Sequence, residues 1–274
     1  MRVFSNSIPK GGTHLILKLV TLLNYPEAPN RLWLGAALVR SWPSTLRKIM
    51  KGSYSSRTVV IGSESPVIIG SNWLESRLNK IPAGCSFGGH CIYSEELARI
   101  MKKTDTKVVC ILRDPRAIAY SHLQYMKTYK NHFYYKEYMS LPSDSDRLLL
   151  TINGGLLGKH KIESINNRYK AFLNWKNDES ALMVKFEDLV GPKGGGTQSR
   201  QMDAIVRVAE HIDVSADGHA LQTVANNLHG NSTGLTKSSS FRMGRVDSWM
   251  TELDSKTIRL IEKNTENILT DMGY

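Results

Sequence analysis

Short apolar runs that each hand over to a helical pattern recur along this chain, and that alternation constrains the fold more than any other feature. Residues 107–112 form a β-branched run that stops at Arg113-Asp114-Pro115, 58–61 and 181–186 read the same way, and Val3-Phe4 is a very short opening strand. Brief apolar runs without polar alternation suit strands buried on both faces, as in a parallel sheet. Helical patterning fills the intervals: 15–23 after a glycine loop, 94–102 behind a serine cap with Glu95 and Glu96 in its first turn, 117–129 behind Pro115, and 254–272 near the end. The expected fold is α/β, a central parallel sheet flanked by helices. No internal repeat is visible, and the glycine-rich stretch 191–197 is short and lies between core elements, so one domain over residues 1–274 is expected.

Lysine and arginine number 36 against 25 acidic residues, a formal net charge of +11, which favours an anionic partner: nucleic acid, a membrane surface or a phosphorylated small molecule. Charge alone does not choose among them. The most apolar stretch, 32–39, is bracketed by Arg31 and Arg40 and falls far short of the ~20 residues a membrane helix needs. The first seven residues run into a polar loop instead of a long apolar segment, so no secretion signal and no membrane partner are expected. The cysteines, Cys85, Cys91 and Cys110, are odd in number and lack C-x-x-C spacing, which reads as reduced thiols and, with the missing signal, as a cytoplasmic location.

Lys10-Gly11-Gly12-Thr13 stands between the first strand and the first helix. Adjacent glycines and a lysine at a helix start offer convergent N–H groups, a helix dipole and a mobile cation to a phosphate; the plainer alternative is a surface turn capping that helix. The order is not that of a Walker A loop, whose lysine follows the second glycine. Ile8-Pro9-Lys10-Gly11-Gly12-Thr13 instead closely resembles the P-K-x-G-T loop of the sulfotransferases that use 3′-phosphoadenosine 5′-phosphosulfate (PAPS) and release its bisphosphate, PAP. In that family the loop is P-loop-like, follows the first strand and holds the phosphosulfate end. The resemblance extends to a strand ending in Arg with Ser on the next helix, met here by Arg113 and Ser121, which implies a 3′-phosphate grip. A guanidinium fork and a hydroxyl are chemically suited to it; taken alone, Arg113 would read instead as a strand-end salt bridge to Asp114 or Glu96, and its pairing with Ser121 and the first loop reverses that. A third likeness, Phe241-Arg242-Met243-Gly244-Arg245 with Trp249 a few residues on, implies a loop over the adenosine end that uses Arg242 and Gly244.

Between the first two signatures Ser86-Phe87-Gly88-Gly89-His90 takes the place of the segment that carries the family's catalytic histidine. The resemblance makes His90 the general base, which suits an imidazole that titrates near neutrality, and Lys10 the stabiliser of the leaving group. Gly11, Gly12 and Thr13 would hold the 5′-phosphate. His122 and His132 read as ordinary helix or surface residues, and no His or Cys spacing suggests a metal site. The chain departs from the family where Gly88 replaces a frequent lysine two residues before the histidine, where His14 follows the loop threonine and becomes a candidate phosphate donor, and where Phe186 replaces a tyrosine, keeping a ring to stack on adenine. The implied function is transfer of a sulfuryl group from PAPS to a hydroxyl or amine of a small acceptor, such as a bacterial secondary metabolite. A kinase-like phosphoryl transferase lacks its Walker lysine here, and a basic nucleic-acid-binding protein rests on charge alone; no nucleic-acid partner is expected. Segments 33–42, 125–138 and 153–161 would shape the acceptor pocket, with Tyr125, Tyr129, Phe133, Tyr134, Tyr135 and Tyr138 as candidate lining.

Overall fold

A computed structural model describes residues 1–30, 32–36, 57–230 and 244–274. Its main sheet contains β1 (Arg2–Ser7), β2 (Trp33–Leu34), β5 (Ser86–Gly89), β6 (Thr106–Leu112) and β9 (Ala181–Lys185), in the order β2-β5-β1-β6-β9 with every pairing parallel. The runs at 107–112 and 181–186 are therefore strands of this sheet, save that Phe186 already opens a helical turn. The run at 58–61 is a strand but not a parallel one: β3 (Thr58–Ile61) pairs antiparallel with β4 (Val67–Gly70) in a separate hairpin. A second small hairpin joins β7 (Gly155–Leu157) and β8 (His160–Ile162).

Helices cover both faces of the sheet. Along β6, Val109 and Ile111 face one layer and Val108, Cys110 and Leu112 the other, the period-2 consequence of a pleated strand buried on both sides. The first layer contains α1 (Thr13–Leu22), with α9 (Gln198–His211) and α10 (Gly218–Leu228) defined further along the chain. The second contains α2 (Ser71–Asn79), α3 (Glu95–Lys103), α4 (Pro115–Thr128), α5 (Tyr135–Met139), α6 (Asp144–Asn153) and α7 (Ile165–Leu173), closed by α12 (Ser255–Met272). Two short helices, α8 (Phe186–Leu189) and α11 (Ser248–Glu252), complete the set among the described residues.

Local chemistry sets the helix starts. The Ser94 hydroxyl accepts from the Leu97 N–H at the head of α3, and Ser143 and Asp146 form a reciprocal capping box on α6. Asp114 caps α4 with Pro115 in its first turn. α1 differs: its cap is Gly12 at φ 110°, with no side chain bonded to the first turn. No described helix is long and apolar enough to cross a membrane.

Candidate active site at the carboxyl edge of the sheet

The strand order itself assembles the site. Read along their carboxyl ends, β2, β5, β1, β6 and β9 deliver Leu34, then His90, then the 8–12 loop, then Arg113, then Phe186. β1 is where the connections divide, α1 leaving over one face and α3 arriving over the other. At such a switch point the neighbouring loops part and leave a crevice for a ligand.

The loop after β1 is held from within. Gly11 donates its N–H to the Ile8 carbonyl at 2.9 Å, and a Cβ on Gly11 would lie 2.9 Å from that same oxygen. The Ser7 and Thr13 hydroxyls are hydrogen-bonded to each other. The Gly11 amide and the Thr13 hydroxyl, both expected on the phosphate, are thus committed to the loop itself. The N–H groups of Gly12 and Thr13 find no partner among the described residues and form the open end of α1. Lys10, at φ 68°, extends its ammonium to 4.2 Å from the centre of the Tyr125 ring.

Arg113 closes the other side. It pairs with neither Asp114 nor Glu96, which bind Arg116 and Arg99 instead. Its Nη1 donates to the Lys10 carbonyl at 3.2 Å and its Nη2 to the Arg245 carbonyl at 2.9 Å, while Nε is buried with no hydrogen-bond partner among the described residues. Burial lowers its pKa, partly offset by the nearby Glu187 carboxylate. The guanidinium lies 4.3 Å from the centre of the Phe186 ring, and a Cβ on Gly12 would lie 2.8 Å from Phe186 Cδ2. Phe186 is therefore the platform beneath Arg113 and Gly12, and with 5% of its surface exposed it is not open to an adenine. Ser121 sits half-buried on α4, seven residues into the helix and not at its mouth.

The C-terminal segment reaches this point through Gly244 and Arg245. Gly244 takes φ 60° against the 191–196 loop, where Val246 donates to the Gly194 carbonyl at 3.0 Å. Arg242 lies outside the described residues. Trp249 is buried under Arg116, whose guanidinium also bridges Asp114 and Glu262, so this tryptophan anchors α11 to α4 and α12.

His90 is half-buried at the end of β5. Its Nδ1 lies 3.0 Å from the Ser7 carbonyl. A carbonyl can only accept, so Nδ1 carries the hydrogen and the lone pair is left on Nε2. Burial lowers the imidazole pKa to about 4, with His14 and Lys10 adding to the effect and the Ser7 carbonyl and Glu64 opposing it. His90 is therefore neutral at pH 7. His14 is also lowered, by desolvation first and the Lys10 charge second, although much of its ring meets solvent.

The structure adds residues that carry no sequence signal. The Tyr169 hydroxyl donates to the Arg113 carbonyl, Glu187 accepts the Asp114 N–H at 3.0 Å, and the Tyr274 hydroxyl donates to Glu187 at 2.5 Å. His122 is not the ordinary helix residue expected: it is buried, 2.8 Å from Glu64, which Arg168 meets at 3.0 Å. Tyr134 and Tyr138 are core residues, so they cannot line a pocket. Among the described residues no cluster of His, Cys, Asp or Glu has the form of a metal site.

The fold has close counterparts among solved structures. Mouse sulfotransferase SULT7A1 complexed with PAP superposes with a TM-score of 0.60 at 18% identity, over 97% of this chain and 85% of that one. Retinol dehydratase in complex with retinol and PAP gives 0.64 at 15% identity, over 98% and 81%. The same enzyme in complex with androsterone and inactive cofactor PAP gives 0.63. No protein of curated function matches in sequence. The sequence pattern of the sulfotransferase domain, however, matches residues 2–273, and across that span this chain belongs to the sulfotransferase family.

Proposed function

We propose that this protein transfers the sulfuryl group of PAPS to a hydroxyl or amine of a small acceptor, within one catalytic domain. The observation that carries the reading is Arg113: a buried guanidinium with an unpartnered Nε, in no carboxylate bridge, and hydrogen-bonded to the Lys10 carbonyl of the loop that leads into α1. A buried guanidinium that makes no direct carboxylate bridge and has an unpartnered N–H is costly unless an anion completes its hydrogen bonds. The two ends of a nucleotide bisphosphate supply such anions, one for Arg113 with Ser121, the other for the Gly12 and Thr13 amides. The groups present fit.

PAPS, when bound, supplies the sulfuryl group and a phosphate leaving group. His90 Nε2, unprotonated at neutral pH, takes the proton of the acceptor. Lys10 reaches the leaving oxygen by swinging from the Tyr125 ring, lowering the barrier as negative charge builds. The ring pair Tyr125–Tyr129, with centroids 5.0 Å apart, stands beside Lys10 and supports an acceptor with an apolar or aromatic body. A bacterial secondary metabolite fits this chemistry, and the cytoplasm, where PAPS would be at hand, is the proposed location.

Calorimetric titration with PAP, AMP and ATP with Mg²⁺ tests the reading. Binding of PAP well above both others is expected. Preference for ATP with Mg²⁺ would overturn it in favour of phosphoryl transfer.

A further inference from the structure

Gly88 stands where the resembled family frequently carries a lysine, and the structure shows what fills the space. A Cβ there would lie 2.6 Å from Cζ3 and 3.0 Å from Cε3 of Trp33, and 3.0 Å from Leu17 Cδ1. Trp33, from the neighbouring strand β2, is laid directly over the glycine, in register with it. Its ring then touches both active-site imidazoles. His14 stacks on it with centroids 5.6 Å apart and 28° between planes, and His90 meets it edge-on at 5.2 Å and 75°.

We propose that Trp33 is a positioning residue for His90: its indole, admitted by Gly88, fixes the imidazole plane so that Nδ1 stays on the Ser7 carbonyl and Nε2 faces the crevice. The Ser7 hydrogen bond alone leaves the ring free to rotate about that contact, and the edge-on indole removes this freedom. The same ring covers one side of the imidazole from water. The charged and titratable groups acting on His90 are Lys10 and His14 from the loop and α1 and Glu64 from the β3–β4 connection. The inference rests on His90 as the base, but its test need not.

In the ¹⁵N-labelled protein with PAP present, long-range imidazole spectra report the tautomer and titration of His90, assigned by its absence in His90→Gln. Trp33→Ala is expected to bring an Nε2–H population and to raise the His90 midpoint from about 4 towards the ordinary imidazole value of ~6.5. Turnover should fall on the order of 10-fold to 100-fold, with PAP affinity within about two-fold and most activity restored in Trp33→Phe. Gly88→Ala displaces the indole without removing it and should shift the same signals in the same direction. Unchanged His90 signals in both Trp33→Ala and Gly88→Ala would overturn the proposal, as would a Phe variant no better than Ala. If His90→Gln retains full turnover, the base assignment fails instead, and the ring spectra still decide whether Trp33 positions the imidazole.

Discussion

At the scale of single residues, the candidate site depends on groups whose ordinary chemistry is altered by their neighbours. His90 is held neutral chiefly by desolvation, and its Ser7 partner selects the tautomer. Because its pKa is lowered to about 4, the base form persists as pH falls until well below 6.5. The acid limb of kcat is therefore expected below the usual imidazole range, and a limb centred near the ordinary value would show a solvated or different base. His90→Ala should lower kcat by roughly 10²–10⁴-fold while leaving PAP affinity within a few-fold, since a base touches the acceptor and not the phosphates. Turnover and titration of the same variant separate the two effects. Arg113→Ala should weaken PAP far more than AMP, because the guanidinium is proposed to grip the phosphate that AMP lacks. Equal losses would mark a packing defect above Phe186, where the guanidinium is removed.

At the scale of elements, β1 and α1 are joined by a loop with little room for change. Gly12 combines φ 110° with a Cβ position 2.8 Å from Phe186 and 3.0 Å from Ile111 Cδ1. Gly12→Ala is expected to cost more than ~1 kcal/mol in urea unfolding and to weaken PAP binding, because both backbone and platform must shift. Wild-type affinity in that variant would show that the loop does not need its observed shape. The start of this element was legible in Lys10-Gly11-Gly12-Thr13, since both readings of those residues, a phosphate loop and a capping turn, place a helix start there. β5 was far less legible: Ser86-Phe87-Gly88-Gly89 has poor strand propensity. It is a strand because it pairs in parallel with β1 on one side and β2 on the other, and the close approach of β2 requires glycine at Gly89, where a Cβ would lie 2.4 Å from the Leu34 carbonyl. The run 58–61, which reads as a strand of the parallel sheet, pairs in an antiparallel hairpin instead, because a short apolar run specifies burial and not its partner.

At the scale of the whole molecule, a buried charge cluster ties the β3–β4 connection to the helical layer. Glu64 meets His122 of α4 and Arg168 of α7, and Arg168 also donates through Nε to the Glu163 carbonyl at 2.7 Å. Removing one partner strands the other in a low-dielectric interior, so Glu64→Ala should destabilise the protein by about 3–5 kcal/mol, read by thermal or denaturant unfolding. Burial opposes ionisation of Glu64, but His122 and Arg168 together hold its pKa well below 4.5. The stabilisation is thus fully present above about 4.5 and is lost as pH falls towards the folded value. An acid-unfolding profile of the full chain that does not change with Glu64→Ala would remove the cluster from the stability of the fold.

The sequence alone carried the class of the fold, the strands β1, β6 and β9 with the helices that follow them, and the motifs around Lys10, His90 and Arg113 that the strand order brings to one edge of the sheet. Each is written locally, in apolar runs, caps and glycine pairs, or in a contiguous motif. The tertiary structure alone decided that Trp33 fills the volume over Gly88, that Phe186 lies beneath Arg113, and that Glu64, His122 and Arg168 share one charge cluster. These are contacts between residues far apart in the chain, and their pairing is set by strand order and packing, which no local pattern encodes.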